Sequence, residues 1–204
     1  MVIRLHEIDE SQLGQGQFAG FRMTAEEFYE LPDDGCRYEL INGVVVMSPS
    51  PTPAHQKVAG EVFTQLHLFL RGAPIGHVFY EMDVLLNPGV RGEADLVCKP
   101  DVSFVRSDRP ISSDQRLSLS PDLAVEVVSR GTRKRDTIQK RADYERFGVR
   151  GYWIVDPERD SVTFLRLIDG KFAEVDCPGD GYASEAVPGF VLDLRPVRAA
   201  FKPW

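Results

Sequence analysis

The chain has 204 residues, of which 43% are hydrophobic and 27% are charged, and its formal net charge is −7. This composition predicts one globular domain with a hydrophobic core over residues 21–204, after a polar arm over residues 1–20. Three cysteines, none of them in a CxxC pair, argue against a disulfide framework and against a zinc cluster. Because the chain shows neither a secretory signal nor an apolar stretch of membrane-spanning length, we expect a soluble cytoplasmic protein without a membrane partner.

The first predicted elements are a short helix and a hairpin. Thr24 and Glu27 have the spacing of a capping box, which predicts a helix over residues 25–31. The segment "RYELINGVVVMSP" alternates around Asn42-Gly43, a dipeptide typical of the tight turn between two antiparallel strands.

A long helix is predicted after a proline-rich loop. Thr52 is the expected N-cap and Pro53 the first helical residue, and apolar residues at helical spacing continue to Gly72. The segments "GHVFYEMDVLLNP" and "KPDVSFVRS" then predict strands, and a polar loop follows over residues 107–120.

The second half of the chain repeats this mixture of strands and helices. "PDLAVEVVS" reads as a buried strand, residues 132–147 as a helix, and "GYWIVDP" and "SVTFLRL" as further strands. Helices before, between and after groups of strands predict an α/β protein, more narrowly an α+β mixed sheet flanked by helices.

Charge is distributed unevenly along the chain. The net negative charge alone argues against a nucleic-acid partner, yet residues 130–150 hold eight basic and three acidic residues, a balance of +5. One interpretation is a solvated helix with ion pairs along its surface. The other is a patch that binds the phosphate backbone, in which Arg130, Arg133, Lys134 and Arg135 point outward toward phosphate.

Two carboxylates occupy strand positions that favour burial. In "DLAVEVVS" the alternation of a strand puts Glu126 on the same face as Ala124 and Val128. In "PDVSFVR" Asp101 opens another strand. A buried carboxylate is costly unless a cation compensates its charge, so we expect the two acids to converge on such a partner.

Lys140 is the first candidate partner. At 100° per residue, Lys140, Tyr144 and Phe147 lie on one stripe of the predicted helix, and the two aromatic residues indicate that this stripe faces the sheet. Glu126 on the preceding strand is then within reach of the lysine. The alternatives are that Lys140 extends past the aromatic rings to solvent, or that the ion pair is purely structural.

Two acids and a lysine are the groups used in metal-assisted phosphodiester hydrolysis. Two carboxylates bind a hard cation such as Mg²⁺ or Mn²⁺, which polarises the phosphate and activates a water, while a lysine orients that water or stabilises developing charge. The sequence has no Walker-type phosphate loop, no GxGxxG after a strand, no GxSxG and no HExxH.

The ordered segments of the chain resemble a known family. "YELINGVVVMSPSPTPAHQ", "PDVSFV", "PDLAVEVVS" and "KRADYERFGVRGYWIVDP" are similar to the Uma2 family, a group of proposed bacterial endonucleases with the PD-(D/E)XK nuclease fold. The resemblance covers residues 24–167, and "VPGFVLDL" is similar to the family's C-terminal segment. It implies a restriction-endonuclease-like fold, a Mg²⁺ or Mn²⁺ cofactor and a DNA partner.

The resemblance also implies roles for individual residues. Asp101 and Glu126 fall on the family's two acidic positions and would bind the metal. The general pattern has its lysine two residues after the glutamate, where this chain has Val128, so the resemblance implies a migrated lysine at Lys140. Where the family often has Ser-Pro after the glutamate strand, this chain reads "SRG" over residues 129–131, a departure that changes the loop and removes no proposed ligand.

Glu39 and His55 are two further candidates. Glu39 matches the family's early glutamate, which implies a role beside the metal or the attacking water; the alternative is a solvent-facing residue paired with Arg37 or Lys57. His55 falls in the first turn of the long helix, where it could contact phosphate or hydrogen-bond a carboxylate. Its alternative is a local structural hydrogen bond.

The predicted function is a Mg²⁺-dependent endonuclease that cleaves DNA by direct attack of a metal-activated water. Asp101 and Glu126 bind the metal with the carbonyl of Val127 as a third ligand, Lys140 orients the nucleophile, and Glu39 assists. The alternative function is a non-catalytic nucleic-acid-binding or assembly module that keeps the fold. Cleavage of both strands would suit a two-fold homodimer.

Overall fold

The computed structural model describes residues 16–111 and 116–202. Residues 1–15 of the predicted arm and residues 112–115 of the predicted polar loop therefore lie outside the described residues. The helical elements are α1 (Ala25–Tyr29), α2 (Pro53–Gly72), a π-helical segment (Arg135–Lys140), α3 (Arg141–Arg146) and α4 (Leu194–Ala199). The strands are β1 (Arg37–Ile41), β2 (Val44–Ser48), β3 (Gly76–Tyr80), β4 (Val84–Leu85), β5 (Val97–Cys98), β6 (Val102–Arg106), β7 (Leu123–Val127), β8 (Gly151–Asp156), β9 (Ser161–Ile168), β10 (Lys171–Val175), β11 (Gly181–Ala183) and β12 (Val191–Asp193).

A six-stranded sheet with the order β10-β9-β8-β7-β6-β3 forms the centre of the fold. Its neighbouring strands are antiparallel except β7 and β8, which are parallel and are joined by the π-helical segment and α3. A parallel pair needs such a crossover because the chain must return to the same end of the sheet. A four-stranded sheet has the order β2-β1-β5-β4, and β11 pairs with β12.

Helices cover both faces of the central sheet. On one face, Val58 and Val62 of α2 pack in the same buried cluster as Val125 of β7. On the other face, Tyr144 of α3 packs in a second cluster with Ala124 of β7. Because side chains alternate along a strand, β7 directs Glu126 to the face that α3 covers, as the sequence predicts.

Local sequence signals explain where the first elements begin and turn. In the capping box of α1, the N–H of Glu27 donates to Thr24 Oγ1 at 3.3 Å and the N–H of Thr24 donates to Glu27 Oε2 at 2.8 Å. Thr52 caps α2, and Pro53 is its first residue. The hairpin turn between β1 and β2 has φ values of 51° and 72° at "NG", the positive values that a type I′ turn requires. These three predictions are confirmed.

Two predicted elements differ in the structure. The segment "GHVFYEMDVLLNP" forms two strands in two sheets rather than one strand, because Glu81 adopts a φ of 50° and redirects the chain after β3. The predicted α-helix over residues 132–147 contains the π-helical segment before α3. There the hydroxyl of Thr137 donates to the carbonyl of Arg133 at 2.7 Å, a side-chain bond that competes with regular α-helical geometry.

The remaining predictions concern the arm, the cysteines and the membrane. Within residues 16–20, predicted as part of the polar arm, Phe18 is buried with its ring 5.8 Å from that of Tyr38. Cys36, Cys98 and Cys177 are free, as the sequence predicts. Among the described residues, no helix combines the length and apolarity needed to cross a membrane.

Candidate active site

Asp101 and Glu126 lie level with each other on paired strands. β6 pairs with β7 through Val102 and Val125, so the residue before Val102 stands opposite the residue after Val125. The Oδ2 atom of Asp101 accepts a hydrogen bond from the backbone N–H of Val127 at 2.7 Å, which holds this carboxylate against β7. Both acids are buried and line one cleft. The structure thus brings the two predicted acids together.

Lys140 and Tyr144 reach Glu126 from the crossover helix. Lys140 Nζ lies 2.8 Å from Glu126 Oε1, and the hydroxyl of Tyr144 donates to the same oxygen at 2.9 Å. The Lys140 side chain is only 5% exposed. The alternative in which this lysine extends to solvent is therefore wrong.

Lys140 also contacts two further carboxylates. Its Nζ lies 2.8 Å from Glu39 Oε1 on β1 and 3.8 Å from Asp136 Oδ1 on the π-helical segment. Glu39 belongs to the four-stranded sheet, whereas Lys140 belongs to the crossover of the central sheet. The ion pair between them joins the two sheets inside the protein.

Glu39 is held by several groups besides Lys140. Its Oε1 accepts the backbone N–H of Lys99 at 2.8 Å, and its Oε2 accepts the Ser48 hydroxyl at 3.3 Å and lies 3.3 Å from Arg135 Nη2. Only 1% of Glu39 is exposed. The alternative of a solvent-facing residue on β1 is wrong.

Burial and charge shift the pKa values of these groups in different directions. Burial opposes ionisation of Glu39, but the charges of Lys140 and Arg135 outweigh it and lower its pKa to about 2. For Asp136 burial outweighs the charge of Lys140 and raises the pKa to about 6. Burial likewise raises the pKa of Glu126 well above its usual range. Burial disfavours the charge of Lys140, yet the surrounding carboxylates raise its pKa, so Lys140 is a cation and a hydrogen-bond donor.

His55 contacts the other acid of the cleft. It stands in the first turn of α2, and its Nε2 atom lies 3.1 Å from Asp101 Oδ2. Among the described residues, Nδ1 of this histidine has no hydrogen-bonding partner although it is buried. The structure thus places His55 beside a carboxylate, one of its two predicted contacts.

The four predicted phosphate contacts have different surroundings. Arg130 and Lys134 are exposed. Arg133 is held by Asp156, which accepts from its Nε and Nη2 atoms, both at 2.9 Å. The prediction that all four point outward is wrong for Arg135, whose side chain is 10% exposed and turns inward. The buried carboxylate of Glu39 on β1 provides the counter-charge for Arg135.

Some groups around the cleft were not identified from the sequence. Asp136 is 2% exposed and lies four residues before Lys140, a spacing that could have indicated a shared side of the helix. Arg37 and Lys99 line the cleft, and each pairs with an acid. No sequence spacing indicates these two, because their approach depends on how the two sheets pack.

Comparison with known proteins adds to this geometry. The family model for Uma2, described as "Putative restriction endonuclease", matches residues 25–195. Among solved structures, the chain is similar to one titled as a "putative nuclease belonging to DUF820" from Anabaena variabilis, with a TM-score of 0.72 and 18% identity. That match covers 88% of this chain and 99% of the other. A comparison with curated proteins gives no match. The structural likeness confirms the predicted restriction-endonuclease-like fold, a mixed sheet flanked by helices.

Proposed function

Because the chain belongs to the Uma2 family, we propose that it is an endonuclease that hydrolyses phosphodiester bonds of DNA with Mg²⁺ or Mn²⁺ as its cofactor. Family and fold together support a nuclease. The metal, the DNA substrate and the roles of individual residues are the proposal, and they rest on the charges and contacts of the cleft.

The observation that carries the proposal is a group of four buried carboxylates. They meet two cationic side chains, while Arg37 and Lys99 at the same cleft pair with Glu81 and Asp83. With all four carboxylates ionised, the group would carry four negative minus two positive charges, or −2. One divalent cation would balance this charge. The carboxylates are Glu39, Asp101, Glu126 and Asp136, and the cations are Lys140 and Arg135.

The donor set suits Mg²⁺ or Mn²⁺ better than zinc. Asp101 and Glu126 each use one oxygen for protein hydrogen bonds, Oδ2 and Oε1, and retain the other for a cation. Val127 also lines the cleft, and its carbonyl is the proposed third ligand. Mg²⁺ is commonly bound through one or two carboxylates and keeps several waters. In residues 16–111 and 116–202, no group of three or more His, Cys, Asp or Glu side chains is arranged to hold a metal ion, so the proposed site has only two carboxylate ligands.

When bound, such a cation supplies Lewis acidity and an activated water for hydrolysis. The protein groups supply charge and orientation. Lys140 is held as a cation between Glu126 and Glu39, so it would donate a hydrogen bond and stabilise developing negative charge rather than accept a proton. Glu39 would fix the position of that ammonium, and it remains ionised because its pKa is about 2.

The residues proposed to contact nucleic acid differ in how exposed their side chains are. Arg130 and Lys134 are exposed next to the cleft residues Ser129 and Thr132, and we assign them to the phosphate backbone. Arg135 lines the cleft itself and would contact a phosphate close to the reacting bond. A homodimer would place two such sites for cleavage of both strands.

Cleavage of supercoiled plasmid tests the proposal. Purified protein with Mg²⁺ or Mn²⁺ should nick and linearise the plasmid, and a chelator should stop the reaction. Asp101→Asn and Glu126→Gln should each lower the rate on the order of 100-fold or more, because each removes a metal ligand. The matched control is Glu174→Gln, a carboxylate-to-amide change at an exposed position of β10, which should retain the wild-type rate.

The alternative of a non-catalytic binding module gives opposite results. No DNA or RNA substrate would be cleaved with either metal, and Asp101→Ala would leave DNA affinity unchanged or improve it by removing negative charge. That combination would contradict the endonuclease proposal.

A further inference from the structure

We propose that the hydroxyl of Tyr144 is a positioning group, which fixes the carboxylate of Glu126 so that its Oε2 atom is presented to the metal. This inference rests on the proposed metal site and assigns a function to a side chain outside the cleft lining.

Two donors converge on one oxygen of Glu126. Lys140 Nζ lies 2.8 Å from Oε1, and the hydroxyl of Tyr144 lies 2.9 Å from the same atom. Both contacts use Oε1, and neither uses Oε2. Because Oε1 of Glu126 is held by two donors, the direction in which Oε2 points is also fixed.

Tyr144 is better suited to fixing this direction than Lys140. The ammonium of Lys140 is shared among three carboxylates, since it also lies 2.8 Å from Glu39 and 3.8 Å from Asp136. The position of this ammonium is therefore set by three carboxylates together rather than by Glu126 alone. The hydroxyl of Tyr144 makes its hydrogen bond to Glu126 alone.

Packing fixes the ring of Tyr144 in place. The side chain is fully buried, and its ring stands edge-on to Tyr152 with centroids 4.9 Å apart. A tyrosine hydroxyl also donates without bringing a positive charge, so it orients Glu126 without weakening its attraction for a cation. Tyr144 thus fixes the position of the Glu126 carboxylate, and Lys140 compensates its charge.

The neighbouring Tyr152 provides a matched control. It is equally buried in the same cluster, and its hydroxyl donates at 2.8 Å to the backbone carbonyl of Asp136 rather than to a carboxylate. Tyr144→Phe and Tyr152→Phe each delete one buried hydroxyl and keep the ring. Any loss that comes only from a missing buried hydrogen bond should therefore be similar in both variants.

Calorimetric titration of Mn²⁺ into the metal-free protein is the test. We expect Tyr144→Phe to bind Mn²⁺ on the order of tenfold or more weakly than wild type, as for other groups that orient a metal ligand. Tyr152→Phe should stay close to the wild-type affinity, while both variants lose a similar amount of thermal stability. In plasmid cleavage, Tyr144→Phe should need more Mn²⁺ for half-maximal rate and regain most of the rate at saturating Mn²⁺.

The outcomes separate this inference from the proposed function. If wild type binds Mn²⁺ and the two variants bind it equally well, Tyr144 has no positioning role and the metal site stands. If both variants weaken binding to the same extent, the effect is structural and the inference is again overturned. If wild type itself binds no Mn²⁺, the proposed metal site is wrong and the inference is lost with it.

Discussion

Replacing Glu39 by glutamine should destabilise the protein in a pH-dependent way. The substitution keeps the size of the side chain and its ability to accept the N–H of Lys99, and it removes the charge that faces Lys140 and Arg135. The pKa of Glu39 is lowered from 4.5 to about 2 in the folded protein. Since this residue is 1% exposed, solvent screening reduces the effect little.

The magnitude follows from the pKa shift. A difference of about 2.5 pKa units corresponds to roughly 3 kcal/mol of stability at pH 7. Because the folded pKa lies below the unfolded value, this stability is fully present above the unfolded pKa and is lost as pH falls toward 2. At pH 3 about 1 kcal/mol should remain.

Urea unfolding at pH 7 and pH 3 measures the difference between wild type and Glu39→Gln. Acidic groups remote from Glu39 titrate in the same way in both proteins and cancel in the comparison. Glu174→Gln is the control, because it makes the same chemical change at an exposed strand position. Its stability should differ from that of wild type by less than about 0.5 kcal/mol at both pH values.

Two results would refute this reasoning. One is a variant as stable as wild type at pH 7, which would mean that the buried ion pairs of Glu39 add no net stability. The other is a destabilisation of equal size at pH 7 and pH 3, which would mean that the loss comes from packing rather than from charge.

Asp136→Asn should show the opposite pH dependence, since the folded pKa of about 6 exceeds the unfolded value and its stabilising effect is lost as pH rises. In the presence of a chelator, wild type should lose about 2 kcal/mol relative to this variant between pH 4 and pH 7 in urea unfolding. Lys134→Ala should weaken DNA binding and reduce the salt slope by about one, measured by fluorescence anisotropy. Arg133→Ala should instead lower the melting temperature and leave the salt slope of DNA binding unchanged, because its guanidinium is already paired within the protein. An equal fall in the salt slopes of the Lys134→Ala and Arg133→Ala variants would contradict this assignment. Gly76→Ala would place a Cβ atom 2.4 Å from a backbone carbonyl oxygen of the paired strand, and it should lower the free energy of unfolding by on the order of 3 kcal/mol. Gly60→Ala adds its Cβ atom in open space on α2, so this variant should be as stable as wild type or more stable in thermal unfolding.

Strand and helix periodicity were enough to predict the centre of the site. Alternation along β7 placed Glu126 on the face covered by the crossover helix, and the spacing of Lys140 and Tyr144 placed both on the stripe that meets it. Both signals depend on the local repeat of the backbone, which is regular in β7 and over the step from Lys140, the last residue of the π-helical segment, along α3 to Tyr144. Asp101 was also predicted from its strand position, and its place opposite Glu126 follows from the register of β6 and β7; the family resemblance added its role as a metal ligand.

The remaining parts of the site depend on structure that the sequence pattern does not encode. The π-helical segment changes the direction of the residues before Lys140, so a regular repeat of 100° could not predict the inward turn of Arg135. The positive φ of Glu81 splits one predicted strand into β3 and β4, which belong to different sheets. Arg37 and Lys99 reach the cleft only because the two sheets pack together, a long-range contact without a local signature.

The ion pair between Glu39 and Lys140 has a consequence for how the protein fails on heating. It connects the β1–β2 hairpin to the crossover helix, so local opening of that hairpin would remove Glu39 from Arg135 and would leave Lys140 with only Glu126 and Asp136 as partners. Local opening of this kind can precede loss of the central sheet. We therefore expect the site to be lost when the hairpin opens, and the backbone amide of Lys99 bonded to Glu39 to become open to hydrogen exchange in the same event.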